Sequence, residues 1–154
     1  LEPGRTLHLL PESDLPDDMQ WAGPNPRVAG AVARWGAAVD RESIQVIPDR
    51  TRQLVHNSLE QWQGEQMPIS RSWVEQEVDG LEGNERAIAR LALLIAKASY
   101  QTDDNLVAEV LQYNPKQEQF LRILAWSTFT AARYVAARIA RLSDNTRPVL
   151  RQVA

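Results

Sequence analysis

The sequence predicts an all-α fold, a single-domain bundle of about six helices. Apolar residues recur at three- and four-residue intervals from Arg27 to about Leu142, which is the period of helices that bury one face. Residue types that begin and end helices bracket these segments, and no stretch shows the sustained alternation of a strand. A chain of 154 residues is long enough to bury one core.

Residues 1–26 are predicted to form an extended N-terminal arm, followed by a helical domain over residues 27–142 and a C-terminal tail over residues 143–154. Five prolines interrupt the arm, and each removes a backbone donor and disfavours helix in the residue before it. The arm is expected to lie across the domain surface or a neighbouring subunit. Its apolar anchors are Leu7, Leu9, Leu10, Met19 and Trp21.

The first two helices are recognised by their apolar stripes. The first begins after Arg27 and closes over residues 36–40, and the second begins at Pro48 and stops at Gly64. The stripes comprise Val28, Val32 and Trp35 in the first helix, and Leu54, Val55, Leu59 and Trp62 in the second.

Start and stop signals define the third and fourth helices. Ser72 and Glu75 have the spacing of a capping box, and that helix is predicted to stop at Gly80. Asn84 is expected to cap the fourth helix. Its broad buried face comprises Ile88, Leu91, Leu94, Ile95 and Ala98.

The last two helices also carry cap candidates. Thr102 is expected to cap a fifth helix that runs to Leu111. Asn114 as cap, Pro115 at the first position and Gln117 at the third predict the start of the sixth helix, which runs to the end of the domain.

Composition excludes several classes of protein. The net charge of -3 has the wrong sign for a dedicated nucleic-acid binder. The absence of cysteine excludes disulfides, thiolate nucleophiles and cysteine-ligated metals. No apolar run approaches the roughly 20 residues needed to span a bilayer, and no signal peptide opens the chain. We therefore expect a cytoplasmic protein that contacts no membrane.

The stretch RQLVHNSLEQWQGEQMPISRSWVEQEVDGL, residues 52–81, is laid out like the core of a redox site. The helix landmarks Arg52-Gln53-Leu54, Gly64 and Gly80-Leu81, with ARLALLIAKASYQTDDNLVAEVL and LAWSTFTAARYVAARI downstream, resemble the alkylhydroperoxidase D and carboxymuconolactone decarboxylase family. The resemblance covers roughly residues 28–142. It implies small all-helical subunits that assemble as trimers or hexamers.

The sequence departs from this family at the chemistry. In the same register, Gln53 stands at the relay glutamate, Glu65 and Pro68 at the two cysteines, and Ser72 at the histidine. A peroxidatic cycle needs one thiolate to attack the peroxide and a second thiol to resolve the sulfenic acid. Thiol peroxidase chemistry by this chain is therefore excluded.

Other side chains on the same segment suggest proton chemistry. His56 and Glu60 are spaced i, i+4 on the second helix, and a carboxylate beside an imidazole is a common general-base arrangement. Glu65 is a secondary catalytic candidate at the first-cysteine position. The alternative is a solvated pair of small energetic value and a solvated loop glutamate.

Arg52, Trp62 and Trp73 are candidate substrate-binding residues. Arg52 could bind an acidic substrate bidentately, and the indoles could line an aromatic pocket, although core and interface anchors are the alternative. The tryptophans concerned are Trp35, Trp62, Trp73 and Trp126. No metal site is expected, because His8 lies in the arm and His56 lacks the usual ligand set. No cofactor motif is visible.

Two functions follow from these observations. The first is a cofactor-independent protein that binds or acts on a small organic molecule, acidic or aromatic, by non-redox acid/base chemistry of the lyase or isomerase type. The second is a catalytically inactive family member that serves as an oligomeric scaffold or partner subunit. A homo-oligomer is expected in both cases.

Overall fold

The computed structural model describes the backbone of residues 5–150 and the side chains of residues 5–143. These residues form six α-helices and three short 3-10 helices, with no strand among them. The predicted all-α class with six main helices is therefore confirmed. The helices are α1 (Pro26–Ser43), α2 (Asp49–Gln61), α3 (Ser72–Glu77), α4 (Gly83–Lys97), α5 (Asp104–Tyr113) and α6 (Gln117–Leu150).

The chain divides into two compact units. One comprises Val39–Ala131, and the other comprises the residues up to Ala38 together with those from Ala132 onward. Both α1 and α6 contribute residues to each unit. None of the helices in the described part of the chain has the length and apolar character needed to cross a membrane.

Helix α4 is the centre of the Val39–Ala131 unit, where it packs against α2, α3 and α5. Burial of each leucine or isoleucine in such a position contributes about 1.5–3 kcal/mol. The predicted buried face of α4 is correct except at Ile95, which is only half-buried. The residues of α4 that are at most 2% exposed are Ala87, Ile88, Ala89, Leu91, Ala92, Leu93 and Leu94.

In the other unit, the N-terminal arm is more folded than predicted. It contains 3-10 helices at Leu7–Leu9 and Asp17–Ala22, in stretches that contain no proline. Proline restricts only its own residue and the one before it, so these stretches are free to turn. Arg34 of α1 holds the arm by donating to the carbonyl oxygens of Leu7 and Leu10, each at 3.0 Å, and to Glu12 at 2.8 Å.

The last predicted boundary differs from the structure. Helix α6 continues past Leu142 to Leu150, since no glycine follows Leu142 and the one proline that does, Pro148, lies near the end of the helix. The predicted tail is therefore helical over most of its length. Its residues 151–154, and residues 1–4 of the arm, lie outside the described residues.

Several predicted helix caps are wrong at the level of individual residues. Ser72 is the first residue of α3 and makes no capping box. The backbone N–H of Ser72 instead donates to the hydroxyl of Ser70 at 3.2 Å. Asn84 lies inside α4, and its side chain accepts a hydrogen bond from Asn114 at 2.7 Å. Helix α6 consequently begins only at Gln117, because this pairing holds Asn114 at the end of α5.

The cap of α5 is Asp103 and not Thr102. Its carboxylate accepts a hydrogen bond from the N–H of Leu106 at 2.9 Å and forms an ion pair with Arg71 at 2.8 Å. The Leu106 N–H, followed by Arg71, holds the pKa of the Asp103 carboxyl below its usual value. Thr102 instead donates its hydroxyl hydrogen to the carbonyl oxygen of Ser99 at 2.7 Å.

We expect Asp103→Ala to destabilise the protein at neutral pH and much less in acid. Because the folded-state pKa is lowered, the stabilisation by this carboxylate is fully present above the unfolded value of about 3.9 and is lost as the pH falls through the folded-state pKa. Urea unfolding of both proteins at pH 7 and below pH 4 measures the difference. The control is Asp79→Asn, which changes an exposed carboxylate two residues after the end of α3. An Asp103→Ala deficit that stays constant across this pH range would contradict the assignment.

Candidate functional site

Arg52 on α2 holds the carboxyl end of α1 within the Val39–Ala131 unit. Its Nε donates to the carbonyl oxygen of Ile47 at 3.2 Å, and its Nη2 donates to that of Asp40 at 3.3 Å and to the Ser43 hydroxyl. A cation at a helix carboxyl end satisfies carbonyl oxygens that have no partner within the helix. Burial lowers the pKa of the Arg52 guanidinium, and the neighbouring carboxylates of Asp40 and Asp49 partly oppose this shift.

Trp126 of α6 contacts both Arg52 and His56, which lie one turn apart on α2. The guanidinium carbon of Arg52 lies 5.3 Å from the centroid of the indole, in a cation–π arrangement. The imidazole of His56 meets the same indole edge to face, with centroids 5.7 Å apart and planes at 89°. Trp126 is 0% exposed, so both polar groups approach it at the margin of the core.

The indole nitrogen of Trp126 has no hydrogen-bond acceptor among the residues that the structure describes. Its Nε1 is buried and unpaired within the described part of the chain. A buried N–H group of this kind usually bonds to protein, ordered water or a ligand, because leaving it unpaired costs about 1–3 kcal/mol. An acceptor atom is therefore expected within hydrogen-bond distance of Trp126 Nε1.

The predicted residues Trp62 and Glu65 lie together in the loop after α2. The indole of Trp62 donates to the carbonyl oxygen of Glu65 at 3.0 Å, and the carboxylate of Glu65 accepts from the N–H of Gln63 at 2.8 Å. Gly64 between them has a φ of 85°, which favours glycine. The helix itself ends at Gln61, and Gly64 serves the turn that follows.

Trp73 is placed in the core, where it is 8% exposed. Its Nε1 donates to the side-chain oxygen of Gln101 at 3.3 Å, and the ammonium of Lys97 lies 5.6 Å from its ring centroid. None of the described interactions of Arg52 involves Trp73. Its indole therefore supports the packing of α3 on α4.

A polar cluster of Ser58, Glu77 and Lys97 was not predicted from the sequence. Lys97 donates to the Ser58 hydroxyl at 2.5 Å and to Glu77 at 3.0 Å, and Ser58 donates to the other carboxylate oxygen. The side chain of Lys97 is only 5% exposed. The cluster joins α2, α3 and α4. The only feature of the local sequence that hints at it is Lys97, a lysine at the end of the apolar helix α4.

The structure also describes the four residues that the sequence comparison aligned with the redox positions of the family. Gln53, Glu65, Pro68 and Ser72 are all exposed. No group of three or more metal-binding side chains that could hold an ion lies among the described residues. The candidate residues for proton chemistry, His56 and Glu60, lie one turn apart on α2, with His56 half-buried and Glu60 exposed.

We expect Arg52→Met to reduce the free energy of unfolding by about 2–4 kcal/mol, because it leaves a fully buried Ser43 and two carbonyl oxygens without their donor. Chemical denaturation measures the loss. Arg50→Met is the matched control, since that side chain is 66% exposed and its change should cost about 1 kcal/mol or less. Equal losses in the two variants would show that Arg52 does not hold α1.

Comparison with known proteins gives one relative of substantial similarity. The chain is 34% identical over 142 residues to alkyl hydroperoxide reductase Rv2159c of Mycobacterium tuberculosis (strain ATCC 25618 / H37Rv). The match covers 92% of this chain and 41% of that protein, so the chain spans less than half the length of its relative. No family model and no solved structure matches the chain. With the helical landmarks at residues 52–81, this identity places the chain in the alkylhydroperoxidase D-like family, as a member without cysteine.

Proposed function

We propose that the Val39–Ala131 unit binds a small organic acid and transfers a proton on it without a redox step. The observation that carries this proposal is the buried, unpaired Nε1 of Trp126 beside Arg52 and His56. A carboxylate oxygen is one of the acceptors that can bond to such an N–H. The absence of cysteine agrees with chemistry that needs no thiolate.

Arg52 would supply the second contact to the bound carboxylate. Its Nε and Nη2 hold the end of α1, while its Nη1 makes no hydrogen bond or ion pair with the described residues. Because three of its donors are engaged, the guanidinium is fixed in place before any ligand arrives. A fixed guanidinium and a buried indole N–H together favour an acid with an aromatic or apolar body.

His56 would be the acid/base group. An imidazole can accept a proton from a carbon next to a carbonyl and return it, and it does so without a cofactor. Glu60, one turn further along α2, would orient the imidazole. Glu65 has no necessary part in this proposal, because its carboxylate closes its own turn.

We expect benzoate, used as a probe, to raise the thermal midpoint of the chain, and Trp126→Phe to weaken benzoate binding about tenfold. Phenylalanine keeps the aromatic packing and removes only the N–H donor, and one charge-assisted hydrogen bond corresponds to roughly that factor. Titration calorimetry measures the affinity. Trp73→Phe is the matched control, because it also shortens a buried indole but lies apart from Arg52. Equal affinity in the wild type and Trp126→Phe would refute the role of the indole nitrogen.

A second experiment tests proton transfer. Phenylpyruvate, an aromatic acid with an exchangeable C–H, is incubated with the chain in D₂O, and deuterium incorporation is followed by NMR. We expect His56→Ala to lower the protein-dependent exchange rate by about 100-fold, the usual contribution of a general base. Asn57→Ala, an exposed change at the next position, should leave the rate unchanged. If His56→Ala exchanges as fast as the wild type, His56 is not the base.

An inactive scaffold is the second candidate function. It is favoured by the contacts of Arg52, which tie α2 to α1 and would be needed in a protein with no ligand at all. This candidate predicts that neither benzoate nor phenylpyruvate binds, while the chain remains folded and assembles. Binding that depends on Trp126 and exchange that depends on His56 would exclude it.

A further inference from the structure

The polar cluster of Ser58, Glu77 and Lys97 contains a buried charge that the proton chemistry of His56 does not use. The side chain of Lys97 is only 5% exposed. Removing an ammonium group from water costs several kcal/mol, so a buried lysine needs an ion pair and further hydrogen bonds. Glu77 supplies the opposite charge, with its Oε1 3.0 Å from the ammonium nitrogen. The ring of Trp73, with its centroid 5.6 Å from the same nitrogen, adds a cation–π contact.

The hydroxyl of Ser58 bonds to both charged groups of the cluster. Its Oγ accepts a hydrogen bond from the Nζ of Lys97 at 2.5 Å and donates its own hydrogen to the Oε2 of Glu77. A carboxylate in this position is placed to take the hydroxyl proton, and an ammonium group stabilises the negative oxygen that results. A serine that acts as a nucleophile needs both of these neighbours.

The net charge of the cluster stays the same when such a proton moves. Lys97 and Glu77 form a neutral pair, and a proton that passes from Ser58 to Glu77 moves the negative charge to an oxygen beside the same ammonium group. No unpaired charge therefore arises in a partly buried site, where it would be costly. The third N–H of Lys97 has no hydrogen-bond acceptor among the described residues, so it can donate to an oxyanion.

The cluster borders solvent on one side. Ser58 is half-buried, and the side chain of Glu77 is 30% exposed. Asn57 and Gln61, which flank Ser58 along α2, are exposed. A substrate carbonyl would therefore approach the hydroxyl over the surface of α2, opposite the buried ammonium group. A half-buried hydroxyl is reached more readily by a small acyl group than by a bulky one.

We propose that Ser58 is the nucleophile of an esterase site that takes carboxylic esters with a small acyl group, with Glu77 as the general base and Lys97 as the cation that stabilises the oxyanion. The Oγ of Ser58 bonds to the carbonyl carbon while its proton passes to Glu77. The ester C–O bond then breaks, and the alcohol leaves with that proton. Water attacks the acyl-serine and gives a proton to Glu77, and Ser58 recovers it as the carboxylic acid leaves. Water is the one co-reactant, and nothing is oxidised or reduced.

This inference goes beyond the proton transfer proposed at His56 and does not depend on it. His56 contacts Trp126 of α6, whereas Ser58 contacts side chains of α3 and α4. The two activities are measured with different probes and different variants. Either one can therefore fail while the other holds.

A fluorophosphonate probe, which bonds covalently to activated serine hydroxyls with loss of fluoride, tests the nucleophile on the full chain. We expect mass spectrometry to find the label on the peptide that contains Ser58, and to find none on that peptide in Ser58→Ala. The control is Ser99→Ala, which removes an exposed hydroxyl two residues after Lys97 and should leave labelling unchanged. A folded wild type that carries no label on Ser58 would overturn the proposal.

Hydrolysis of para-nitrophenyl acetate tests the base. We expect Ser58→Ala and Glu77→Gln each to lower kcat/KM by about 100-fold or more, because a general base contributes at least that factor. Glutamine keeps the shape of the side chain and an acceptor oxygen, and Glu82→Gln, an exposed change, is the matched control. Wild-type turnover in a folded Glu77→Gln would show that Glu77 only neutralises Lys97, and the proposal would be wrong.

Ser58→Ala keeps the test decisive if Glu77→Gln fails to fold, because it leaves the ion pair between Glu77 and Lys97 in place. Circular dichroism checks that this variant is folded. Equal hydrolysis by the wild type and a folded Ser58→Ala would refute the esterase site by itself.

Discussion

The guanidinium of Arg52 sets the geometry on which the candidate site depends. It holds the last turn of α1, the Ile47 carbonyl before α2 and the face of Trp126 at the same time. Trp126 is distant in sequence from the other two segments, and among the described residues only the Arg52 side chain is seen to contact all three. The Nε and Nη2 of Arg52 bind the backbone, and the Nη1 is the part of the guanidinium proposed to bind a ligand.

The helices were predictable from the sequence because each buries one face, and that period is visible locally. Their ends were less predictable, because cap residues compete and the local signal does not say which will form. Asn84 and Asn114 were both good cap candidates, yet they bond to each other across 30 positions. Asp103 and not Thr102 caps α5, because the carboxylate of Asp103 also forms an ion pair with Arg71, a contact that only the tertiary fold provides.

The candidate site was predictable only in part. His56 and Glu60 share a helix, so their proximity follows from a spacing of four residues. The meeting of His56 with Trp126, and of Lys97 with Ser58 and Glu77, joins helices that are far apart in the sequence. A single sequence carries no local mark of such pairs. The prediction that Trp73 could line a pocket was drawn from composition, which does not separate a wall residue from a core residue.

The exposure of Gln53, Glu65, Pro68 and Ser72 bears on how such a chain could arise. Substitutions at exposed positions usually change stability by no more than about 0.5 kcal/mol, so residues at these four positions can change while the fold persists. The fully buried alanines of α4 allow no such drift, because any larger side chain there would overpack the core. Descendants of this chain would therefore keep an almost fixed interior while their chemistry remains free to change.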